Sequence, residues 1–200
     1  MKSFAVMVGV VASVALTGCG ATRVADTPTA STSTEISPEA RNPLLENPNL
    51  KPPKQRNSAG RPDVVYDPCL QISDETVTAM GFDPGSRARE DFVAEYTFLE
   101  CKFRSELRLL RVSSGNISMD EDRDRFSGVS EDTNINGREA IIVREPSRVA
   151  DKCALDMRTN EGLVRVATVL SVEGLSRKLD RCDGIVDIAK AVEPTISEGH

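Results

Sequence analysis

The sequence predicts an α+β domain: an antiparallel sheet of about five strands with helices on one face, closed by two disulfides. Three observations predict it. Residues 97–111 and 153–172 each alternate apolar and polar side chains on both sides of a short polar break, the signature of a hairpin. Four cysteines, Cys69, Cys101, Cys153 and Cys182, are spread through the same region. Residues 180–193 place Cys182, Ile185, Val186, Ala189 and Val192 on one helical stripe, and Pro194 stops it.

The other elements follow in order. Ser73 is placed to cap a first helix, with Ile72 and Val77 as its hydrophobic staple and Gly81 to close it. In the first hairpin Thr97, Leu99, Cys101 and Phe103 alternate outward from the break at Arg104-Ser105-Glu106, and Leu107, Leu109 and Arg111 return. Ser118-Met119-Asp120-Glu121 reads as a capping box opening a charged turn toward Phe126. Asn136-Gly137 marks a tight turn into a strand over 138–144. The last hairpin pairs 153–158 with 163–172 across Thr159-Asn160-Glu161-Gly162, with Val164, Val166, Leu170 and Val172 sharing a face. This order of elements suits helices segregated to one side of an antiparallel sheet.

The chain before this domain has a different character. Lys2 precedes an apolar run over 4–16, which as a helix spans ~20 Å, short of the ~30 Å of a bilayer core. That is a secretory leader. Leu16-Thr17-Gly18-Cys19 then reads as a lipobox, so residues 1–18 are expected to be a lipoprotein signal peptide and Cys19 to receive the lipid. The protein is then expected on the outer face of the cytoplasmic membrane, anchored through that lipid. Two or three acyl chains hold such an anchor stably. Residues 19–62 are rich in Ser and Thr over 27–37 and carry proline at 28, 38, 43, 48, 52, 53 and 62. Such a composition predicts a disordered stalk. Residues 63–200 form the folded domain, enough chain for a single core.

Charge and cysteine usage narrow the partners. Residues 63–200 carry 18 basic and 27 acidic side chains, a net charge of −9, and the chain has no Trp, two Tyr and six Phe. Nucleic acid wants the opposite sign and a stacking platform, so no nucleic-acid partner is expected. With Cys19 lipidated, four cysteines remain in an oxidising setting, which favours two disulfides. Zinc needs close pairs, and the nearest two cysteines are 29 residues apart. Sequence allows three connectivities. Cys101 and Cys153 both sit at inward strand positions, and the termini of α+β domains tend to lie together, so the expected pairs are Cys69–Cys182 and Cys101–Cys153.

Several short motifs occur in a recognisable order. Asp67-Pro68-Cys69 is followed by Ile72-Ser73-Asp74, Gly81-Phe82, the aromatic Phe103 after the second cysteine, Ile135-Asn136-Gly137-Arg138, and Cys182 ahead of Ile188-Ala189. In this the chain resembles actinobacterial envelope lipoproteins that carry a domain of unknown function, the four-cysteine, mycobacterial Lpr-type lipoproteins. The resemblance spans residues 66–196. It implies an envelope location and no particular reaction.

Catalytic motifs are scarce. The single histidine, His200, is the last residue, which leaves no carrier for histidine general-base chemistry. Neither a nucleophile elbow, a zinc-protease helix nor a phosphate loop is present, and no cofactor is expected. A hydrolase or transferase using carboxylates or a Ser–Lys pair is the alternative to a non-enzymatic binding or accessory module for an envelope lipid, wall polymer or protein. Asp120, Asp122, Asp124 and Glu131 stand at positions 1, 3, 5 and 12 of a calcium loop, but Arg125 occupies the glycine position. A capped, solvated helical turn accounts for the same residues. Met80, Phe82, Phe92, Tyr96 and Phe98 are candidates to line an apolar ligand pocket between the helices and the sheet, where core packing explains them as well.

Overall fold

Alternation along the strands assembles two unlike faces. The computed structural model describes residues 43–56, 60–144 and 152–197, all within the second of two compact units, Pro38–His200. Cys19 and the expected leader lie outside the described residues, as does His200. The strands are β1 (Asp83–Arg89), β2 (Phe92–Val93), β3 (Thr97–Arg104), β4 (Arg108–Gly115), β5 (Ser130–Ile135), β6 (Arg138–Val143), β7 (Lys152–Arg158) and β8 (Leu163–Leu170). They form one sheet in the order β1-β3-β4-β8-β7-β6-β5, with β2 paired to β3 and every pair antiparallel. Two meanders thus meet at the β4–β8 seam, where Val112 faces Val166 and Leu110 faces Thr168.

The helices are α1 (Pro68–Gln71), α2 (Asp74–Ala79), α3 (Met119–Arg125), α4 (Val172–Ser176) and α5 (Ile185–Val192). On one face Cys101, Phe103, Leu110, Val112, Leu155, Met157, Val164 and Val166 pack against Cys69, Ile72 and Val77 and against Ile185, Ile188, Ala189 and Val192 of α5. A fully buried Val, Leu or Ile contributes ~1.5–3 kcal/mol, so the inner stripe of α5 holds that helix down. On the opposite face Met119 and Phe126 pack over Ile141, Val143, Ala154 and Ala167. Ser118 begins α3 with the expected capping box, accepting from Glu121 N while the Glu121 carboxylate accepts from Ser118 N.

Several expectations are corrected here. The sheet has eight strands among the described residues rather than about five. β1, β2 and β5 escaped notice because they are short or polar strands at or near the sheet's margins, carrying no apolar alternation. Helices cover both faces, because the link from β4 to the far edge strand β5 passes across the second face as α3. Strand β8 ends at Leu170, where Ser171 caps α4 through Gly174 N, and Val172 is exposed instead of sharing the inner face. The last helix starts at Ile185 and not at 180. Asp180 accepts from Cys182 N in a local turn, and Gly184 at φ +78° breaks the helical path.

The disulfides join Cys69 to Cys101 and Cys153 to Cys182, with Cα atoms 4.9 and 5.2 Å apart. The expected crosswise pairing fails on distance. Cys101 and Cys153 do point to the same face, but β4 and β8 lie between their strands. Three interstrand steps amount to ~14 Å, twice what a disulfide spans. One bridge instead ties α1 to β3, and the other ties the turn leading into α5 to β7. On the chain-entropy account, loops of this length contribute ~3.5–4 kcal/mol each.

The expected stalk also ends earlier than residue 62. Leu50 is buried in the main core, and its carbonyl accepts from Arg89 Nε at 3.0 Å. Gln55 exchanges two hydrogen bonds with the backbone of Val64, both 2.8 Å. Asn47 caps the short 3-10 turn Pro48–Leu50 through Asn49 N. Proline suggested a linker, but Leu44 and Leu50 supply the apolar contacts that fasten this strap.

Candidate functional site

Two grooves open on opposite faces of the sheet. The first, about 440 Å³, lies between the end of α2, the β3–β4 turn and α5. Met80, Phe82, Leu107, Leu179 and Ile188 give it an apolar lining, with Arg108, Asp183 and Asp187 as its charged groups. Its shape is set locally. Arg108 donates to the carbonyls of Asp180 and Arg181 at 2.9 and 3.1 Å, and Thr168 Oγ1 donates to the same Arg181 carbonyl. These bonds fix the loop that leads into α5, and the Cys153–Cys182 bridge fastens it to β7. The groove is therefore bordered by bonded and disulfide-tied segments, a preformed shape of the size small ligands occupy.

The second groove, about 370 Å³, lies on the part of the other face that α3 leaves uncovered. Its floor is Ser113, Ala167 and Val169, its aromatic side Phe92 and Phe98, and its charged groups Glu90, Glu100, Arg111, Arg125, Lys152 and Arg165. Arg111 bridges Glu90 at 3.0 Å and Glu100 at 2.6 Å. Burial pushes the Glu100 carboxyl above its ordinary value, with Arg111 opposing.

Beneath this groove sits a buried charged triad. Asp156 and Arg165 are directly opposed across β7 and β8, and Arg165 Nε and Nη2 donate to Asp156 Oδ1 and Oδ2 at 2.6 and 2.7 Å. Arg165 Nη2 also reaches Asp122 of α3 at 3.1 and 3.2 Å. Asp122 and Asp156 are 1% and 0% exposed. Burial, then the neighbouring Asp156 carboxylate, push Asp122 up to about 7 against the pull of Arg165. Opposed charges hold Arg165 firmly in its protonated form. The triad docks α3 on the sheet. Both acids are buried and paired with Arg165, so they are poorly placed to meet a substrate.

The expected site residues are dispersed. Met80 and Phe82 do line the helix groove, but Phe92 and Phe98 line the groove on the opposite face. Tyr96 stacks under the Arg61 guanidinium at 4.2 Å. The five therefore do not form one pocket. Asp120, Asp122 and Asp124 are on α3, where a spacing of two residues turns ~200° around the axis. Asp120 pairs with Arg158, Asp122 with Arg165, and Glu131 sits on β5 at 3.7 Å from Arg144. A calcium loop needs these oxygens to converge, and helix geometry separates them. Among the described residues no cluster of three or more His, Cys, Asp or Glu side chains is arranged to hold a metal. No described helix is long and apolar enough to cross a membrane.

Sequence reasoning passed over the triad, although a signal existed. Once the last hairpin is registered as Arg158 against Leu163, Asp156 must face Arg165. Opposite charges in a cross-strand pair within an otherwise apolar hairpin are a readable mark.

Among the described residues, an eight-stranded antiparallel sheet tied by two disulfides to α1 and to the turn before α5 defines a small α+β domain of the disulfide-stabilised class. The chain belongs to the family described as Protein of unknown function (DUF3558), whose profile matches residues 14–195. No curated protein and no solved structure matches it.

Proposed function

We propose that this protein is an extracytoplasmic lipoprotein, anchored through Cys19, whose domain is a binding or accessory module for an envelope lipid, wall polymer or protein. The observation that carries the reading is the helix groove, an apolar trough of about 440 Å³ with charged residues among its lining. Apolar pockets with a few polar groups are the usual form of small-ligand sites. Two further points support it. The family match starts at Val14 and so covers Leu16-Thr17-Gly18-Cys19, the segment we read as a lipobox. Two disulfides suit an oxidising compartment. The hydrolase alternative is disfavoured by the position of its best carboxylate pair, Asp122 and Asp156, sealed beneath Arg165.

The test has two arms. Replacing Cys19 by Ala, or blocking the lipoprotein signal peptidase with globomycin, should make the full-length precursor accumulate. Mass spectrometry of the full chain isolated from its envelope should find co-purifying material, and Ala191→Trp, which fills the groove, should remove it. Recovery of reduced protein from cytosol, or identical co-purifying material with and without Ala191→Trp, speaks against the reading.

A further inference from the structure

We propose that the groove on the open half of the second sheet face is an oxyanion site for a phosphate ester with an apolar or planar body. The site is distinct from the helix groove and stands independently of it. Its charge runs against the domain, which carries 18 basic and 27 acidic side chains over residues 63–200, whereas four cations and two carboxylates line this groove. The carboxylates are already engaged, since Glu90 and Glu100 are both bridged by Arg111. Arg165 is likewise committed to Asp122 and Asp156 below it. Arg125 and Lys152 remain. Both are exposed and line the groove, and neither makes an ion pair among the described residues. The Arg125 guanidinium lies over the Phe126 ring at 5.2 Å.

Ser113 supplies a second, independent observation. It is 5% exposed, lies on the floor between Glu100 and Arg165 of the flanking strands, and its hydroxyl has no hydrogen-bond partner among the described residues. A hydroxyl on the groove floor that no protein group engages can donate to an acceptor placed in the groove. Ser113, Arg125 and Lys152 come from β4, from the end of α3 and from β7, three separate elements that border one groove. A tetrahedral group with several acceptor oxygens matches that arrangement better than a planar carboxylate. Phe92, 57% exposed beside the groove, offers an apolar surface for whatever the phosphate is attached to.

The test is isothermal titration of the full chain with phenyl phosphate, sn-glycerol 3-phosphate and inorganic phosphate. Saturable binding of phenyl phosphate is expected, weakened about fivefold by each of Arg125→Gln and Lys152→Gln, the scale of an exposed charge pair. Phe92→Ala should weaken phenyl phosphate while leaving inorganic phosphate unchanged. Both basic side chains are exposed, so unfolding is not expected, and an unaltered melting temperature confirms that the variants are intact. Tighter binding of glycerol phosphate than of inorganic phosphate assigns the site to a lipid-type headgroup. Equal binding of the two assigns it to free phosphate, and both outcomes uphold the oxyanion chemistry. Absence of saturable binding with all three probes, or binding unchanged in both charge variants, overturns the proposal.

Discussion

Arg165 holds Asp156 in a forked pair across neighbouring strands, Nε to Oδ1 at 2.6 Å and Nη2 to Oδ2 at 2.7 Å, with the carboxylate wholly buried. Breaking such a pair strands a charge away from water. Asp156→Ala is expected to destabilise the domain by ~3–5 kcal/mol. Asp122→Asn keeps a neutral side chain at a position whose carboxyl already holds its proton readily, and is expected to cost less than half as much. Urea unfolding of the two variants checks the ranking, and equal losses would refute it.

The same triad gives stability a pH slope. Asp122 is raised from 3.8 to about 7, so the folded chain binds its proton more tightly than the unfolded chain does. Its contribution is full below the unfolded value and is lost as pH rises through the folded one, about 1.4 kcal/mol per unit of displacement. Glu121 has the opposite sign. Hydrogen bonds from Arg61, then from Ser118, hold it at about 2, so its stabilisation is present above 4.5 and disappears as pH falls toward 2. Glu121 is 40% exposed, and solvent screening makes its share the smaller. Melting temperatures across this range should fall from about pH 4 to pH 7 in the parent and less in Asp122→Asn. Parallel curves would show that Asp122 does not titrate in that window.

The disulfide pairing is directly checkable. Non-reducing peptide mapping should give linked fragments holding Cys69 with Cys101 and Cys153 with Cys182. Replacing Cys153 and Cys182 together by Ala should cost ~3.5 kcal/mol and raise amide exchange first in α5. A fragment joining Cys101 to Cys153 is incompatible with this strand order.

Glycine is required at 162 for reasons of space. A Cβ there would collide with the carbonyl oxygens of Gly115 and Ile117, which are backbone and cannot swing aside. Gly162→Ala should destabilise by ~1–3 kcal/mol, the scale of overpacking, as read by thermal denaturation. A neutral result would mean that the β7–β8 turn moves freely relative to the segment after β4.

What the sequence disclosed depended on how local the cause was. The β3–β4 and β7–β8 hairpins, the Ser118 capping box and the Asn136-Gly137 turn were readable because each is specified by neighbours within a few residues. β1 and β5 were not, because margin strands with one partner and a wet face need no apolar alternation. The cysteine pairing required the strand order, and that order turns on β4 crossing to the far edge, which no local pattern announces. The candidate pocket failed for a related reason. Phe92 and Phe98 follow Met80 and Phe82 within 18 residues of chain, yet the sheet puts its own thickness between them.

Each bridge closes within its own stretch of chain, one complete by residue 101 and the other beginning at 153. The covalent framework can consequently be laid down in order of synthesis. The first crosslink needs nothing that comes after it, whereas a bond from Cys69 to Cys182 would leave Cys69 waiting until nearly the last helix had emerged. A chain wired this way can join Cys69 to Cys101 before either later cysteine has been made, so neither Cys153 nor Cys182 competes for the first bridge.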